Sequence, residues 1–423
     1  MKKIFIHKVV IIILIAAFAS CTTPYNYKTN AFENAIVIEA TITNQLKKQE
    51  IKLSRTYKFE EEGPVFESGA TISVLDDLGT VYGFDEENGS YFSAAAFKAV
   101  PGRTYQLHIK TKDGKSYSST IEKLTTETNL EDIYSNVTTK EGALGVEIKA
   151  KSYDATNSSK YYRYEYEESY KVIAPKWTPY EAVAVPKNTG NAPGDLVIQL
   201  RTKEARVCYS TKKSDNIILT STNDLSEDRV DFQVRFIPTT DYIIANRYTI
   251  LVKQFVQNLS AYTFYQTLNK ISGSGSILSQ NQPGFLSGNI KSDTDGAEKV
   301  IGFFDVSSYS EKRIFFNFSE IFPKEKLPNY PYNCPLALTT PTLEREHIIP
   351  YCFDTNTSPP CGGAGLYANI GQGNTVYFSG YNFLGAIPFP PTIPTPFLLE
   401  TYDVQCGDCT SFSSNIKPLF WID

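Results

Sequence analysis

The sequence predicts a mainly β protein: an N-terminal immunoglobulin-like β-sandwich, then a larger β-rich second domain with one or few helices. Short stretches alternate apolar and polar residues with a period of two and are cut by turn dipeptides at intervals of about 8–12 residues, the mark of a sandwich. The 423 residues include 28 Tyr and 26 Phe, side chains that suit a pleated, half-buried surface. Gly (25) and Pro (23) supply the breaks between strands.

Residues 1–20 have the layout of a lipoprotein signal peptide. Lys2, Lys3 and Lys8 form a positive start, Val9 to Ala19 form an apolar stretch too short to span a bilayer comfortably, and Phe18-Ala19-Ser20 leads into Cys21. Cleavage would leave Cys21 first, with acyl chains on its sulfur and amine, and several chains hold a protein on a membrane far more firmly than one. The alternatives are an ordinary secretory signal with an incidental cysteine, or a single transmembrane helix. No later apolar stretch approaches the roughly 18 residues a transmembrane helix needs. The anchor is therefore expected to be lipid alone, on a membrane and outside the cytoplasm.

Residues 21–34 are polar and aperiodic, a tether. In 35–124 the strands follow one another: Ile36 to Ile42, Ile51 to Leu53, Ala70 to Leu75, Thr80 to Phe84, Tyr91 to Phe97, Tyr105 to Ile109 and Tyr117 to Ile121. Turns at 76–79, 86–89, Pro101-Gly102 and Asp113-Gly114 separate them. Thr125 to Asn129 reads as a linker to the second domain, 125–423. Its strands are expected at 145–151, 161–170, 196–201, 217–220, 231–237, 248–254, 299–306 and 313–318. In 161–170, Tyr162, Tyr164 and Tyr166 share one face, with Arg163, Glu165 and Glu167 on the other. Ala261, Phe264, Tyr265, Leu268 and Ile271 recur at helical spacing, with Ser260 a candidate cap and Ser272-Gly273-Ser274-Gly275 an abrupt stop. Residues 319–405 read as a loop-rich insertion, and the proline run 387–397 within it must be extended or polyproline II.

Apart from Cys21 there are six cysteines: Cys208, Cys334, Cys352, Cys361, Cys406 and Cys409. An even number in an exported chain favours disulfides, and Cys352 with Cys361 around Pro359-Pro360 is the easiest local pair. Cys406-Gly407-Asp408-Cys409 fits a redox pair, a zinc half-site or two structural bridges. Zinc would want a second such motif or a histidine at useful spacing, and His347 offers none.

Chemistry is thinly supplied. Of His7, His108 and His347, the first leaves with the leader. His108 lies between Leu107 and Ile109, on the face away from the core, and Glu344-Arg345-Glu346-His347 lacks the second histidine of a zinc-protease helix. Gly273-Ser274-Gly275 follows a helix rather than a strand, the wrong setting for a nucleophile elbow. A hydrolytic carboxylate pair is not recognisable from one sequence. The expectation is a non-enzyme without metal or cofactor. The net charge of −5, spread without long runs, argues against a nucleic-acid partner. Aromatics around the prolines, above all Phe383, Phe389 and Phe397, offer rigid anchors for a protein partner, or else fill the core of the second domain.

The order of features also resembles a known family. A lipobox is followed by GATISVLDDLGTVYGF and PGRTYQLHIKTKDGKSYSS, then SKYYRYEYEESY, VCYST at 207–211 and LSAYTFYQTLNKI. PGFLSGNI and VIGFFDVSS follow, and the chain closes on CGDCTS and KPLFWID. The set is similar to a Bacteroidota lipoprotein family catalogued as domain of unknown function 4249. That resemblance implies an outer-membrane lipoprotein, displayed on the cell surface, often encoded beside a TonB-dependent transporter barrel and with no established activity. It carries no catalytic residues to transfer. Unlike the usual surface-directed lipoprotein of that phylum, this chain has no acidic residue in 22–28. The functional expectation is an accessory or ligand-capturing subunit of such a transporter or related barrel complex. The alternative is a stand-alone surface protein binding a small molecule, glycan or peptide, with Tyr and Trp177 as platforms. A hydrolase ranks below both.

Overall fold

The computed structural model describes residues 34–57, 63–185, 195–273, 286, 288–339, 342–344, 347–349, 366–382, 385–386 and 398–423. Cys21, Cys352, Cys361, Phe383, Phe389 and Phe397 lie outside these residues. The chain is mainly β, with one large sheet and several small ones.

The N-terminal module grows from strand Ile36–Thr43, in which Ile36, Ile38, Ala40 and Ile42 are all buried. It pairs antiparallel with Glu50–Arg55, and the sheet continues through Ser90–Ser93, Val81–Glu87, Thr71–Asp76, Thr104–Lys110 and Ser116–Ser119. Thr71–Asp76 and Thr104–Lys110 bury every second residue, so the expected period of two is what fills the core.

Strands 299–306 and 313–318, expected to be separate, form a single strand, Val300–Asn317. Its first half pairs parallel with Ile36–Thr43, and its second half pairs antiparallel with Arg247–Gln257. The polar stretch between them looked like a break in the sequence. It is instead the crossing from one core to the next, where Ser307 and Ser308 are buried. A boundary at residue 124 therefore cuts through the N-terminal core, which also takes in Ile290, Val300, Phe304 and Val306. Strand Ile290–Ser292 completes the sheet beside Ser116–Ser119.

The second module packs two sheets around buried tyrosines. Tyr161–Ile173 lies between Arg247–Gln257 and Val207–Lys213. Opposite stands a three-stranded sheet of Leu130–Lys140, Ala143–Asp154 and Asp228–Pro238. The 125–129 stretch thus leads straight into a strand that the sequence pattern did not reveal. Tyr162, Tyr164 and Tyr166 do point into this core. Their hydroxyls need partners once buried: Tyr164 Oη donates to Gln254 Oε1 at 3.0 Å and Tyr162 Oη to the Ser159 carbonyl at 3.0 Å.

The 319–405 stretch is less loop-like than expected. It holds helix Leu366–Gly371 and the paired strands Thr375–Asn382 and Leu398–Asp403. A hairpin, Tyr180–Val185 with Asp195–Leu200, packs on it through Ala182, Ala184, Leu196 and Ile198. Two disulfides fasten this region: Cys208–Cys409 and Cys334–Cys406. The two cysteines of Cys406-Gly407-Asp408-Cys409 thus serve separate structural bridges, which removes the redox and zinc readings of the motif.

Candidate functional site

Between the two modules, beside helix Leu259–Gly273, lies a cleft of about 580 Å³. The helix forms where the apolar spacing placed it, and Ala261 and Phe264 bury against Phe303 of the long strand. Its N-terminal cap is Asn258 rather than Ser260: Asn258 Oδ1 accepts the Ala261 N–H at 2.8 Å. The chain beyond the helix returns across the long strand at Gly288. A Cβ there would sit 1.5 Å from the Gly302 carbonyl oxygen, so the crossing needs glycine.

Arg163 lies in the cleft wall. Because Tyr162 and Tyr164 turn into the core, alternation sends Arg163 to the opposite face. Its guanidinium lies 4.1 Å from the Phe255 ring centre and 4.8 Å from that of Tyr265, a favourable stack for a planar cation. It donates to Glu165 through Nη1, yet its Nε has no partner among the described residues, although the side chain is 9% exposed.

Behind it lies Asp305, which is fully buried. Asp305 Oδ2 accepts from Ser307 Oγ at 2.6 Å and from Gln257 Nε2 at 3.1 Å, while Oδ1 has no partner among the described residues. Burial raises the pKa of this carboxyl, against the opposing pull of Ser307, Arg163 and Gln257. Burial also raises the Tyr265 hydroxyl, with Arg163 working against it. Glu39, Glu50 and Asp215 join Lys47 and Lys52 in the cleft lining. The cleft thus presents mixed fixed charge over a cation–aromatic floor, an arrangement for holding a polar ligand.

Sequence reasoning separated Arg163 from its tyrosine neighbours but gave no sign that a helix would cover it. Asp305 lay within a predicted strand and was not singled out; an acid flanked by Phe304 and Val306 was the available signal. Trp177 is not an open platform. It is partly buried against the second core, with the Arg206 guanidinium 5.6 Å from its ring centre. Cys208, Cys334, Cys406 and Cys409 lie away from the cleft, in the two bridges already described.

A family model described as Domain of unknown function (DUF4249) matches residues 22–313. The chain belongs to this family. No curated protein matches it. Among solved structures it is similar to trypsin-activated alpha-2-macroglobulin from Escherichia coli, with 8% identity over 74% of this chain and 17% of that one and a TM-score of 0.17. It thus spans only 17% of the macroglobulin's length. It is also similar to the B domain of a biofilm associated protein, with 8% identity, coverage of 70% and 91%, and a TM-score of 0.16. A BSP domain of a biofilm associated protein follows, with 9% identity, coverage of 73% and 66%, and a TM-score of 0.14. Likenesses this weak carry no argument about fold or function.

Proposed function

We propose that this DUF4249 protein is a lipid-anchored lipoprotein of the outer membrane, exposed on the cell surface, that captures a ligand without transforming it and works beside a TonB-dependent barrel. The observation that carries the reading is the placement of the cleft relative to the leader. Strand Val300–Asn317 runs through both modules, a length of about 56 Å at roughly 3.3 Å per residue. The chain following Cys21 enters the fold at Ile36, beside Val300, at the end of that strand remote from the second module. An anchor at Cys21 would hold the N-terminal module nearest the membrane and carry the cleft and second module outward.

A non-catalytic role is favoured because the buried charges in and behind the cleft are largely held internally, Arg163 by Glu165 and two rings and Asp305 by Ser307 and Gln257, with Arg163 Nε and Asp305 Oδ1 left without a partner among the described residues. No helix among the described residues is long and apolar enough to cross a membrane.

The test is affinity purification of the tagged protein from detergent-solubilised outer membranes, paired with mass spectrometry of its mature N-terminus. Expected are an acylated Cys21, release from the membrane on Cys21→Ala, and co-purification of a TonB-dependent barrel. An unmodified N-terminus at another residue would remove the anchor. An acylated protein recovered repeatedly without a barrel would leave the stand-alone ligand binder as the reading.

A further inference from the structure

At the edge of the large sheet, strand Val207–Lys213 has, among the described residues, a neighbouring strand on one side only, Tyr161–Ile173. Its outer side is met at one point: Tyr209 and Ser414 exchange backbone hydrogen bonds of 2.7 and 3.1 Å. Alternation along an antiparallel strand then fixes which backbone groups face outward. They are those of Val207, Tyr209, Thr211 and Lys213. The Val207 N–H is capped by Glu204 Oε1 at 3.0 Å. The outward groups of Thr211 and Lys213 have no partner among the described residues, and both residues are exposed.

Beside this edge runs an open trough of about 730 Å³. Its aromatic lining is Tyr170, Tyr209, Tyr242, Tyr332 and Phe412, its other contributions are hydroxyls from 210–211, 410–411 and 413–414, and its one charged side chain is Lys212. Tyrosine with serine is the composition that grips a partner with little side-chain entropy to lose. The walls are already fixed. The Cys208–Cys409 bridge joins the residues immediately before Tyr209 and Thr410, Tyr332 packs edge-on against Phe412 at 4.9 Å, and the hydroxyls of Tyr170 and Tyr242 are 3.2 Å apart. Neither Lys212 nor Lys213 is in an ion pair among the described residues.

We infer that this edge and trough form a docking groove for an extended, acidic peptide segment of a partner protein. Unpaired strand groups call for an extended backbone, the more accessible rings of Tyr242, Tyr332 and Phe412 take its alternate side chains, and Lys212 in the trough, with Lys213 at the end of the open edge, sets the charge. The inference does not depend on the cleft or on the identity of the barrel.

The test uses the full chain after the leader and an array of decapeptides that alternate valine with glutamate, lysine or serine. The glutamate series should bind and the lysine series should not. Hydrogen exchange should slow in 207–214 when the glutamate peptide is present. Methylating the amide nitrogens on the peptide's pairing edge should reduce binding at least tenfold. Lys212→Glu with Lys213→Glu, both at exposed positions, should reverse the preference toward the lysine series. Failure of every peptide to bind, protection elsewhere, or equal binding of the N-methylated peptide would each overturn the inference. So would capture of cellohexaose in the trough with no peptide bound.

Discussion

The two modules share one strand but are closed in different ways. In the N-terminal module the sheet is sealed by a side chain. Asn289 Oδ1 accepts the Phe304 N–H at 2.7 Å, and Asn289 Nδ2 donates to the Phe304 carbonyl at 2.9 Å, so one amide does the work of a paired residue. In the second module the late segment 334–409 is held by covalent bridges to Cys208 and within itself. The difference follows from the packing available. The first core is a continuous set of alternating strand residues, whereas the described residues of the stapled region form small clusters around Leu366, Tyr377 and Leu399 and around Val376 and Tyr402. Where burial is extensive, a hydrogen-bonded seal is enough. Where it is sparse, a disulfide limits the entropy of the unfolded chain.

The contrast can be broken at its strongest point first. Replacing both Cys208 and Cys409 by Ala opens a bridge that spans 201 residues and should cost about 2–5 kcal/mol. The loss should appear as a lower urea midpoint and as proteolysis confined to the region after 330. A second substitution addresses the N-terminal module. Gly302 has φ +155°, and a Cβ added there would lie only 2.2 Å from the Ile38 carbonyl oxygen. Gly302→Ala should therefore destabilise by about 1–3 kcal/mol through overpacking, with the cysteines still oxidised. Asn289→Ala leaves the Phe304 amide and carbonyl without their seal and should cost about 1–3 kcal/mol, read from the same urea titration. Equal effects of all three on a single transition would show that the modules unfold as one unit.

The smallest effect concerns pH. Burial raises the Asp305 pKa in the folded protein. Its contribution to stability is therefore complete below the unfolded carboxylate value of about 3.9 and is lost as pH rises through the folded value. Asp154 has the opposite sign. Burial alone would raise its pKa, but hydrogen bonds accepted from Thr156, Ser158 and Ser159 outweigh that and depress it. Its stabilisation is present above about 3.9 and disappears as pH falls toward the lower folded value. Asp305→Asn should flatten the decline in melting temperature above pH 4, whereas Asp154→Asn should flatten the acid limb.

Most of the strands were legible because burial on one face leaves a period of two. Ile36 to Ile42 and Tyr105 to Ile109 are read directly from alternation. The helix at 259–273 was legible for the same kind of reason, with its cap displaced from Ser260 to Asn258. The long strand was not, because its polar middle is buried by tertiary packing rather than by local pattern. The cleft was the least visible feature. Arg163 and Asp305 lie well apart in sequence and come near one another only because strand Arg247–Gln257 pairs with both Tyr161–Ile173 and Val300–Asn317. Nor can cysteine spacing announce a partner 201 residues away. The lipid anchor and barrel partner rest on sequence and family resemblance, and the proline-rich candidates Phe383, Phe389 and Phe397 fall outside the described residues.

The shared strand also has a mechanical meaning. A protein held by its N-terminus is pulled at Ile36, while its second module holds the opposite end of Val300–Asn317. Tension therefore acts along the strand axes. The parallel rungs from Ile36–Val300 to Thr43–Ser307 are loaded together in shear and cannot be unzipped one after another. With the chain held at Cys21 as proposed, drag on the second module would be borne by the whole seam at once.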